Sequence, residues 1–176
     1  LAACGIELRY KTTVGDDLPD MVAVLTTALR RARVVILTGG LGPTVDDLTR
    51  EAVAQATGHR LSRRKAALNA MTARLAEWGR TPTLSQLRQA MIPARADILA
   101  NPVGTAPGFA CVWKGVFLAA LPGVPREMEP MMREGVLPQL QAWMRTQKQL
   151  SASPMIRRVL HTSGAPESVV DQALTG

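Results

Sequence analysis

Hydrophobic residues along the chain follow two alternating patterns, one typical of buried strands and one typical of helices. The run from Val34 to Leu37 contains no polar residue, which is typical of a strand covered on both faces. Apolar residues recur with helical spacing from Leu18 to Ala32, from Val45 to Thr57 and from Lys65 to Trp78. Trp78 is expected to lie in the buried stripe of the last of these helices. Strands that alternate with amphipathic helices predict an α/β fold.

Two later apolar runs are separated by a single short turn. Phe109 to Trp113 and Val116 to Leu121 are joined by Lys114-Gly115, and this spacing predicts a β-hairpin. The predicted fold is therefore a three-layer α/β/α sandwich with a mostly parallel sheet, in which this hairpin is the one antiparallel part. The apolar pattern from Met128 to Met144 predicts a final long helix that Pro138 kinks.

The two ends of the chain suggest how it is organised into domains. Ile6 to Val14 alternates apolar and polar residues at its start and is predicted to be a strand. Residues 1–150 are expected to form one domain, and the chain opens like the end of a helix. Residues 151–176 are expected to be a linker and the beginning of a small second domain, with a strand from Ile156 to His161 and a helix after Pro166.

A glycine-rich stretch follows the first buried strand and precedes a helix. Gly39, Gly40 and Gly42 let the backbone approach a ligand closely and adopt positive φ angles. Thr44 is predicted to cap the following helix, and Asp47 completes a capping box. Backbone amides and the positive end of the helix dipole would then face outward, so the stretch is predicted to bind an anion. On these residues alone, a tight structural turn is an equal alternative.

Composition limits the class of protein and its partners. Hydrophobic residues make up 47% of the chain and aromatic residues 3%, so aliphatic side chains and methionines must fill the core. No apolar run is long enough to span a bilayer, and a cytoplasmic location without a membrane partner is expected. The net charge of +7 comes from scattered arginines without interleaved aromatic residues, so the expected partner is a phosphorylated small molecule and not a nucleic acid.

Cysteine and histidine provide no obvious nucleophile or metal-binding motif. Cys4 and Cys111 are far apart and fit no metal or redox spacing, so both are expected to be buried thiols. His59 follows the end of a helix and is expected in a surface loop, and His161 lies outside the motifs. Covalent catalysis is therefore disfavoured.

Three motifs are similar to those of a known family. The glycine-rich stretch between Thr38 and Thr49 reads Thr-Gly-Gly-x-Gly and then Leu-Gly-Pro-Thr-x-Asp-Asp-Leu-Thr. Asn-Pro-x-Gly-Thr-Ala-Pro-Gly begins at Asn101, and Leu-Pro-Gly-x-Pro begins at Leu121. Together they resemble the N-terminal, molybdopterin-binding (MoaB/Mog-like) domain of the CinA, or competence/damage-inducible, family. The resemblance implies an α/β/α fold with a ligand site where the three motifs meet. It also implies that residues 1–150 are a nucleotide- or pterin-binding domain that lacks its first strand.

The resemblance also implies roles for individual residues. Asp16 lies in a loop where Mog-like domains carry an acidic residue, and as the residue after a predicted strand it is expected beside Thr38. Asp47, Asp16 and Asp46 are the candidate catalytic residues, and Asp47 and Asp16 are the candidate metal ligands. The candidate phosphate- or ligand-binding residues are Thr38, Gly39, Gly40, Gly42, Thr44, Gly104, Thr105, Pro122, Gly123, Pro125 and Glu127.

An anionic ligand beside these carboxylates would meet charge repulsion of about 4 kcal/mol at an effective dielectric constant of roughly 20. A divalent metal ion (Mg, Mn and Co are all open) could bridge carboxylate and phosphate and activate a water. The carboxylates could instead accept hydrogen bonds from the ring of a pterin. The CinA resemblance implies the first arrangement, in a metal-dependent pyrophosphatase of ADP-ribose- or FAD-type dinucleotides.

Two other hypotheses about the function are equally compatible with the residues themselves. The Mog resemblance implies a protein that binds or adenylylates molybdopterin. A non-catalytic module used in assembly or regulation belongs to a different class altogether. A homo-oligomer is compatible with all three readings.

Overall fold

The computed structural model describes residues 5–147 and 163–175. These residues divide into two units, one made of residues 11–147 and the other of residues 5–10 and 163–175. The helix predicted after Pro166 is present in the second unit, whereas the predicted strand from Ile156 to His161 lies outside the described residues.

The larger unit is built on a four-stranded sheet. The six strands described in this unit are β1 (Val34–Thr38), β2 (Leu61–Arg63), β3 (Met91–Pro93), β4 (Asp97–Leu99), β5 (Gly108–Trp113) and β6 (Val116–Leu121). The sheet has the order β1-β6-β5-β4, and β2 and β3 form a separate antiparallel pair. β1 is parallel to β6, while β5 is antiparallel to both β6 and β4. The α/β class and the predicted hairpin are confirmed.

Helices cover both faces of this sheet. The helices of the larger unit are α1 (Leu18–Arg31), α2 (Thr49–Thr57), α3 (Lys65–Glu77), α4 (Leu84–Leu87), α5 (Pro125–Met131) and α6 (Leu137–Thr146). The smaller unit contains α7 (Glu167–Thr175). Side chains alternate along β6, so Leu118 joins the core that contains Leu25 of α1. Phe117 points the other way and packs on Trp143 of α6, with 5.8 Å between the ring centroids. None of the described helices is both long and apolar enough to cross a membrane.

The segment from Ile6 to Val14 is not a strand, contrary to the prediction from its alternating pattern. A strand is stable when its backbone is paired and one face is buried, but Leu8 and Tyr10 are 66% and 51% exposed. β1 pairs only with β6 and lies at an edge of the sheet within the described residues. The parallel part of the sheet therefore consists of the β1–β6 pair.

The helix after the glycine-rich stretch begins later than predicted. α2 begins at Thr49 rather than at Val45, and Thr44 does not cap it, since its side chain bonds Asp47 within the preceding turn. Gly58 ends α2 with a φ angle of 71°, directly after the last residue of the predicted helix, Thr57. The connection between β1 and α2 consequently spans residues 39–48, here called the glycine loop.

Two further predictions concern the helices that follow. Trp78 is 48% exposed at the end of α3, so the prediction that it joins the buried stripe is wrong, whereas Met71 and Leu75 are buried. Between α5 and α6 the chain forms a π-helical turn, Met132–Val136. Pro138, the second residue of α6, has no N–H to donate to the preceding turn. This explains why the regular α-helical hydrogen-bond pattern is broken between α5 and α6.

Candidate functional site

The glycine loop lies beside the turn that follows β6. β1 and β6 are parallel neighbours with Thr38 opposite Leu121, so the segments that leave these strands start at the same edge of the sheet. Their backbones are so close that a Cβ added to Gly123 would lie 3.2 Å from the Cα of Gly39. Two of the three sequence motifs therefore meet at this edge.

Thr49, the first residue of α2, holds the inner side of the glycine loop. Its hydroxyl group donates to the carbonyl oxygen of Gly39 over 2.8 Å, and its amide donates to that of Gly40 over 3.1 Å. Gly40 has a φ angle of 65°, and a Cβ there would collide with the Thr49 hydroxyl group. Both observations explain why glycine is needed at position 40.

Arg50 also holds the inner side of the glycine loop, although the sequence analysis did not predict this role. Its guanidinium group donates to the carbonyl oxygens of Leu41 and Gly42 over 2.7 and 2.9 Å. The side chain is only 1% exposed, and burial lowers the pKa of Arg50 below its usual value. The two terminal nitrogens of Arg50 thus fix the loop backbone, whereas its Nε atom is buried without a hydrogen-bond partner in the described part of the chain. Its place directly after the loop is the one sequence signal that could have pointed to it.

The amides of the glycine loop are only partly used inside the protein. The amide of Gly39 donates to the carbonyl oxygen of Leu121 over 2.9 Å, which extends the β1–β6 ladder and leaves this amide unavailable to a ligand. The amides of Gly40 and Leu41 donate to no protein acceptor within the described residues. Two successive amides of this kind can form a small concave site for an anion. Leu41 is only 1% exposed, so a ligand would have to reach both amides from the side of the half-buried Gly40.

Asp47 folds back onto the glycine loop. Its Oδ2 atom accepts from the amide of Thr44 over 2.8 Å and also from the Thr44 hydroxyl group. Burial alone would raise the pKa of Asp47. Hydrogen bonds from the hydroxyl and amide of Thr44 and from the amide of Gly42, with the charge of Arg50, bring this pKa below its usual value. Asp47 is therefore ionised at neutral pH, and Oδ1, which takes no hydrogen bond from Thr44, is the oxygen that can meet a ligand.

The lowered pKa of Asp47 predicts how its contribution to stability depends on pH. A carboxylate with a depressed folded-state pKa contributes above its unfolded pKa, near 3.8, and loses this contribution as pH falls through the folded value. We expect wild type to be more stable than Asp47→Asn at neutral pH, and the difference to shrink below pH 3.8. Urea unfolding of both proteins across this range measures it, and a difference that grows in acid would contradict the assignment.

The other two predicted carboxylates are exposed. Asp46 and Asp16 make no hydrogen bond or ion pair within the described residues. Asp17, the residue after Asp16, caps α1 by accepting the backbone amide of Asp20 over 3.0 Å. Because the chain before Asp16 is not a strand, the reason for expecting Asp16 beside Thr38 no longer holds, and no hydrogen bond joins Asp16 to the glycine loop in the described part of the chain.

The third motif is attached to α5 through Asn101 and Glu127. The side-chain amide of Asn101 donates to Glu127 Oε2 over 2.7 Å and to the carbonyl oxygen of Ala106 over 2.9 Å. Its Oδ1 atom accepts from the amides of Val103 and Gly104 over 3.0 and 2.7 Å. A Cβ at Gly104 would collide with the Glu127 carboxylate. Asn101 thus organises the loop, and Glu127, predicted to bind ligand, has one carboxylate oxygen engaged in holding it.

The remaining predicted ligand-binding residues occupy different depths. Thr38 and Gly123 are exposed at the edge of the sheet, Thr105 is half-buried, and Pro122 is buried. Pro125 is the first residue of α5, a position that suits its fixed φ angle. α5 has no side-chain cap and is only 7 residues long, so the exposed loop edge, and not this helix, is the stronger candidate for contact with a ligand.

A metal ion would depend on the ligand for part of its coordination. Within the described residues, no three side chains of histidine, cysteine, aspartate or glutamate converge on one point. Mg²⁺ often binds one or two carboxylates together with phosphates of the substrate, and such a site needs no cluster. Asp47, beside the loop amides, fits this arrangement better than Asp16.

Cys111 shows none of the features of a reactive thiol. It is buried in the core, and burial together with the charge of Asp97 raises its pKa to about 11. The thiol is therefore protonated at neutral pH, in agreement with the prediction of a buried structural cysteine. Cys4 and His161 lie outside the described residues.

The fold and the glycine loop agree with a family assignment. Residues 1–142 match a family model described as "Probable molybdopterin binding domain". The match covers most of the chain, which therefore belongs to the molybdopterin-binding domain family.

Within this family, the chain is similar to CinA-like proteins. A "CinA-like protein" of Desulfosudis oleivorans is 39% identical over 176 residues, which are 100% of this chain and 42% of the relative. A "CinA-like protein" of Gloeothece citriformis is 41% identical over 162 residues, 89% of this chain and 38% of the relative. A crystal structure of CinA from Thermoplasma acidophilum, a protein described as having unknown function, shares 39% identity and a TM-score of 0.62 over 68% of this chain and 70% of that chain.

The predicted resemblance to CinA is therefore confirmed. The chain spans about two fifths of the length of the curated relatives it matches.

Proposed function

We propose that this chain binds the phosphates of an ADP-ribose-like dinucleotide and hydrolyses the bond between them. The observation that carries the proposal is the orientation of the glycine loop. Thr49 and Arg50 hold the carbonyl groups of residues 39–42 inward, and the amides of Gly40 and Leu41 have no protein acceptor in the described part of the chain. This arrangement suits an anion and gives the loop a role beyond that of a turn.

The reaction needs one water and no covalent intermediate. The water oxygen attacks one phosphorus, the bridging oxygen leaves with the other phosphate, and ADP-ribose yields AMP and ribose 5-phosphate. The amides of Gly40 and Leu41 would hold a phosphate oxygen as its charge increases. Asp47, with its carboxylate ionised, would orient the attacking water or bind a metal ion through Oδ1. A divalent ion between carboxylate and phosphates would offset their repulsion and lower the pKa of a bound water.

Turnover of dinucleotides tests the proposal directly. Purified protein is incubated with ADP-ribose, FAD or NAD in the presence of Mg²⁺, Mn²⁺ or Co²⁺, and the products are separated by chromatography. We expect AMP and ribose 5-phosphate from ADP-ribose in at least one metal. If phosphate binds but none of the dinucleotides is cleaved, the chain is a binding module, the non-catalytic alternative.

Gly40 provides a test of the anion site that does not depend on catalysis. Gly40→Ala forces a side chain against Thr49 at a φ angle of 65°, so we expect phosphate affinity to fall about tenfold or more and stability to fall by about 1–3 kcal/mol. Gly58→Ala is the matched control, because Gly58 has a φ angle of 71° with no atom within 4 Å of an added Cβ. Equal loss of phosphate binding in both variants would mean that backbone strain alone explains the effect.

Binding of molybdopterin is the second candidate function. It is favoured by the family model, which matches residues 1–142. The same two amides would then hold the terminal phosphate of the pterin, and Asp47 would accept a hydrogen bond from its ring. Tight binding of molybdopterin without cleavage of any dinucleotide would support this function over hydrolysis.

A further inference from the structure

An open groove of about 540 Å³ lies next to the glycine loop. Pro43 of the loop forms one side of it, and residues between Gly79 and Gln86, which connect α3 to α4, form the other. The volume is within the range of about 300–1,000 Å³ that is usual for small-molecule sites. Pro43 is two residues after Leu41, whose amide belongs to the phosphate site proposed above, so the groove adjoins the same loop.

The first turn of α2 is linked to both sides of this groove. On one side, Arg50 donates to the carbonyl oxygens of Leu41 and Gly42, just before Pro43. On the other side, Glu51 forms an ion pair with Arg88 over 3.3 Å, in the short 3₁₀ segment that directly follows α4. Two consecutive residues of one helix therefore fix the two sides relative to each other, as a preformed binding site requires.

The side of the groove between α3 and α4 is also fixed by its own hydrogen bonds. The amide of Arg80 donates to the carbonyl oxygen of Leu75 over 2.8 Å, which anchors the turn to the end of α3. Thr83 and Gln86 form a reciprocal capping box at the start of α4, with Thr83 N–H donating to Gln86 Oε1 over 2.9 Å. These polar groups of the turn and of α4 bond one another, and this leaves the Arg80 side chain as the charged group of the groove.

Arg80 is exposed, and its guanidinium group makes no hydrogen bond or ion pair within the described residues. An arginine with all its donors free in a groove beside an anion site is suited to bind a second phosphate, because its planar fork matches two phosphate oxygens.

Three exposed apolar residues are close in sequence to residues that line the groove but do not line it themselves. Val45, two residues after Pro43, is 82% exposed; Trp78, next to Gly79, is 48% exposed; and Leu84, next to Thr83, is 85% exposed. A planar ring of a ligand that extends beyond the lining residues could contact one of these exposed side chains at the rim of the groove. A nucleoside half of a dinucleotide has such a ring.

We propose that this groove binds the nucleoside half of the dinucleotide and that Arg80 binds the phosphate not held by Gly40 and Leu41. The proposal rests on the function proposed above and adds the orientation of the ligand and the residue that selects for two phosphates. Ligands with one phosphate and no ring should depend on the glycine loop alone.

Binding of three ligands separates this proposal from the proposed function. Isothermal titration calorimetry is carried out with inorganic phosphate, AMP and a non-hydrolysable methylene analogue of ADP-ribose. We expect Arg80→Gln to weaken binding of the analogue about 10- to 100-fold and to leave phosphate affinity within about twofold, as for loss of one charge-assisted contact. Arg133→Gln is the control, because Arg133 is exposed in the π-helical turn on the other side of the sheet and should change neither.

Fluorescence of Trp78 provides a second measurement that does not depend on affinity. The analogue should quench the emission of wild type, and the quenching should be lost in Trp78→Phe, while inorganic phosphate should quench neither protein. If the analogue binds equally well to wild type and Arg80→Gln without quenching, the groove is not the nucleoside site although the loop still binds phosphate. If neither phosphate nor the analogue binds wild type, the proposed function fails and the groove assignment fails with it.

Discussion

Replacing Arg50 with methionine should destabilise the protein by roughly 2–4 kcal/mol, the largest effect on stability that we expect from one substitution in the site. Methionine fills similar space but cannot donate to the carbonyl oxygens of Leu41 and Gly42, which would lose their internal partners. Removal of a buried charge offsets part of this cost, which is why the estimate is modest for a side chain that is 1% exposed. Urea unfolding followed by circular dichroism measures the change.

Two further variants show whether the loop contacts are the cause. Arg50→Lys keeps the charge and one donor, so it should recover part of the stability. Arg88→Gln breaks the ion pair with Glu51 but leaves the loop carbonyl groups bonded, and it should cost less than about 1 kcal/mol, as expected for a partly exposed ion pair. If Arg88→Gln lowers the free energy of unfolding as much as Arg50→Met does, then Arg50 stabilises the protein through the charges of Glu51 and Arg88 and not through the loop backbone.

Asp47→Asn should reduce the turnover of ADP-ribose at least a hundredfold while changing stability by about 1 kcal/mol or less. Asparagine keeps an oxygen that can accept from the Thr44 amide, so the loop should remain folded. It removes the negative charge that would orient water or bind metal through Oδ1. Steady-state kinetics with a metal titration distinguishes these roles, since loss of a metal ligand would also raise the metal concentration needed for half-maximal rate.

Asp46→Asn is the control for this prediction. Asp46 precedes Asp47 in the same loop but is exposed and makes no hydrogen bond within the described residues, so its replacement should change turnover by no more than a few-fold. Equal and small effects at both positions would restrict Asp47 to its contact with Thr44, and the catalytic carboxylate would then have to be sought elsewhere.

The sequence predicted those parts of the fold that depend on local patterns. The apolar run before Gly39, the Lys114-Gly115 turn and the spacing after Leu18 each produce the element expected, because burial and turn geometry both act within a few residues. The prediction of a strand from Ile6 to Val14 was wrong, because a strand needs a neighbouring strand to pair with and no local pattern specifies that neighbour. The start of α2 was predicted too early because the Thr44 and Asp47 side chains bond each other in a turn, a geometry that has the same spacing as a helix cap.

The candidate site was predicted in its motifs but not in its internal support. Gly40, Asp47 and the loop after β6 were named from the sequence, and the structure places them at one edge of the sheet. Arg50 and Asn101 were not given their supporting roles, because what defines them is contact with carbonyl and carboxylate groups that are brought near only by folding. No regular spacing in the sequence indicates which residues will make such contacts.

The first turn of α2 also sets a limit on how the sequence of this region can vary in length. Consecutive residues of an α-helix point about 100° apart, so Arg50 can meet the loop carbonyl groups while Glu51 meets Arg88. If a one-residue change in the length of the loop moved the helix register in one direction, Glu51 would face the carbonyl oxygens; in the other direction, Arg50 would face Arg88. A shift of the register in either direction would therefore bring repelling groups together on one side of α2 and remove a contact on the other.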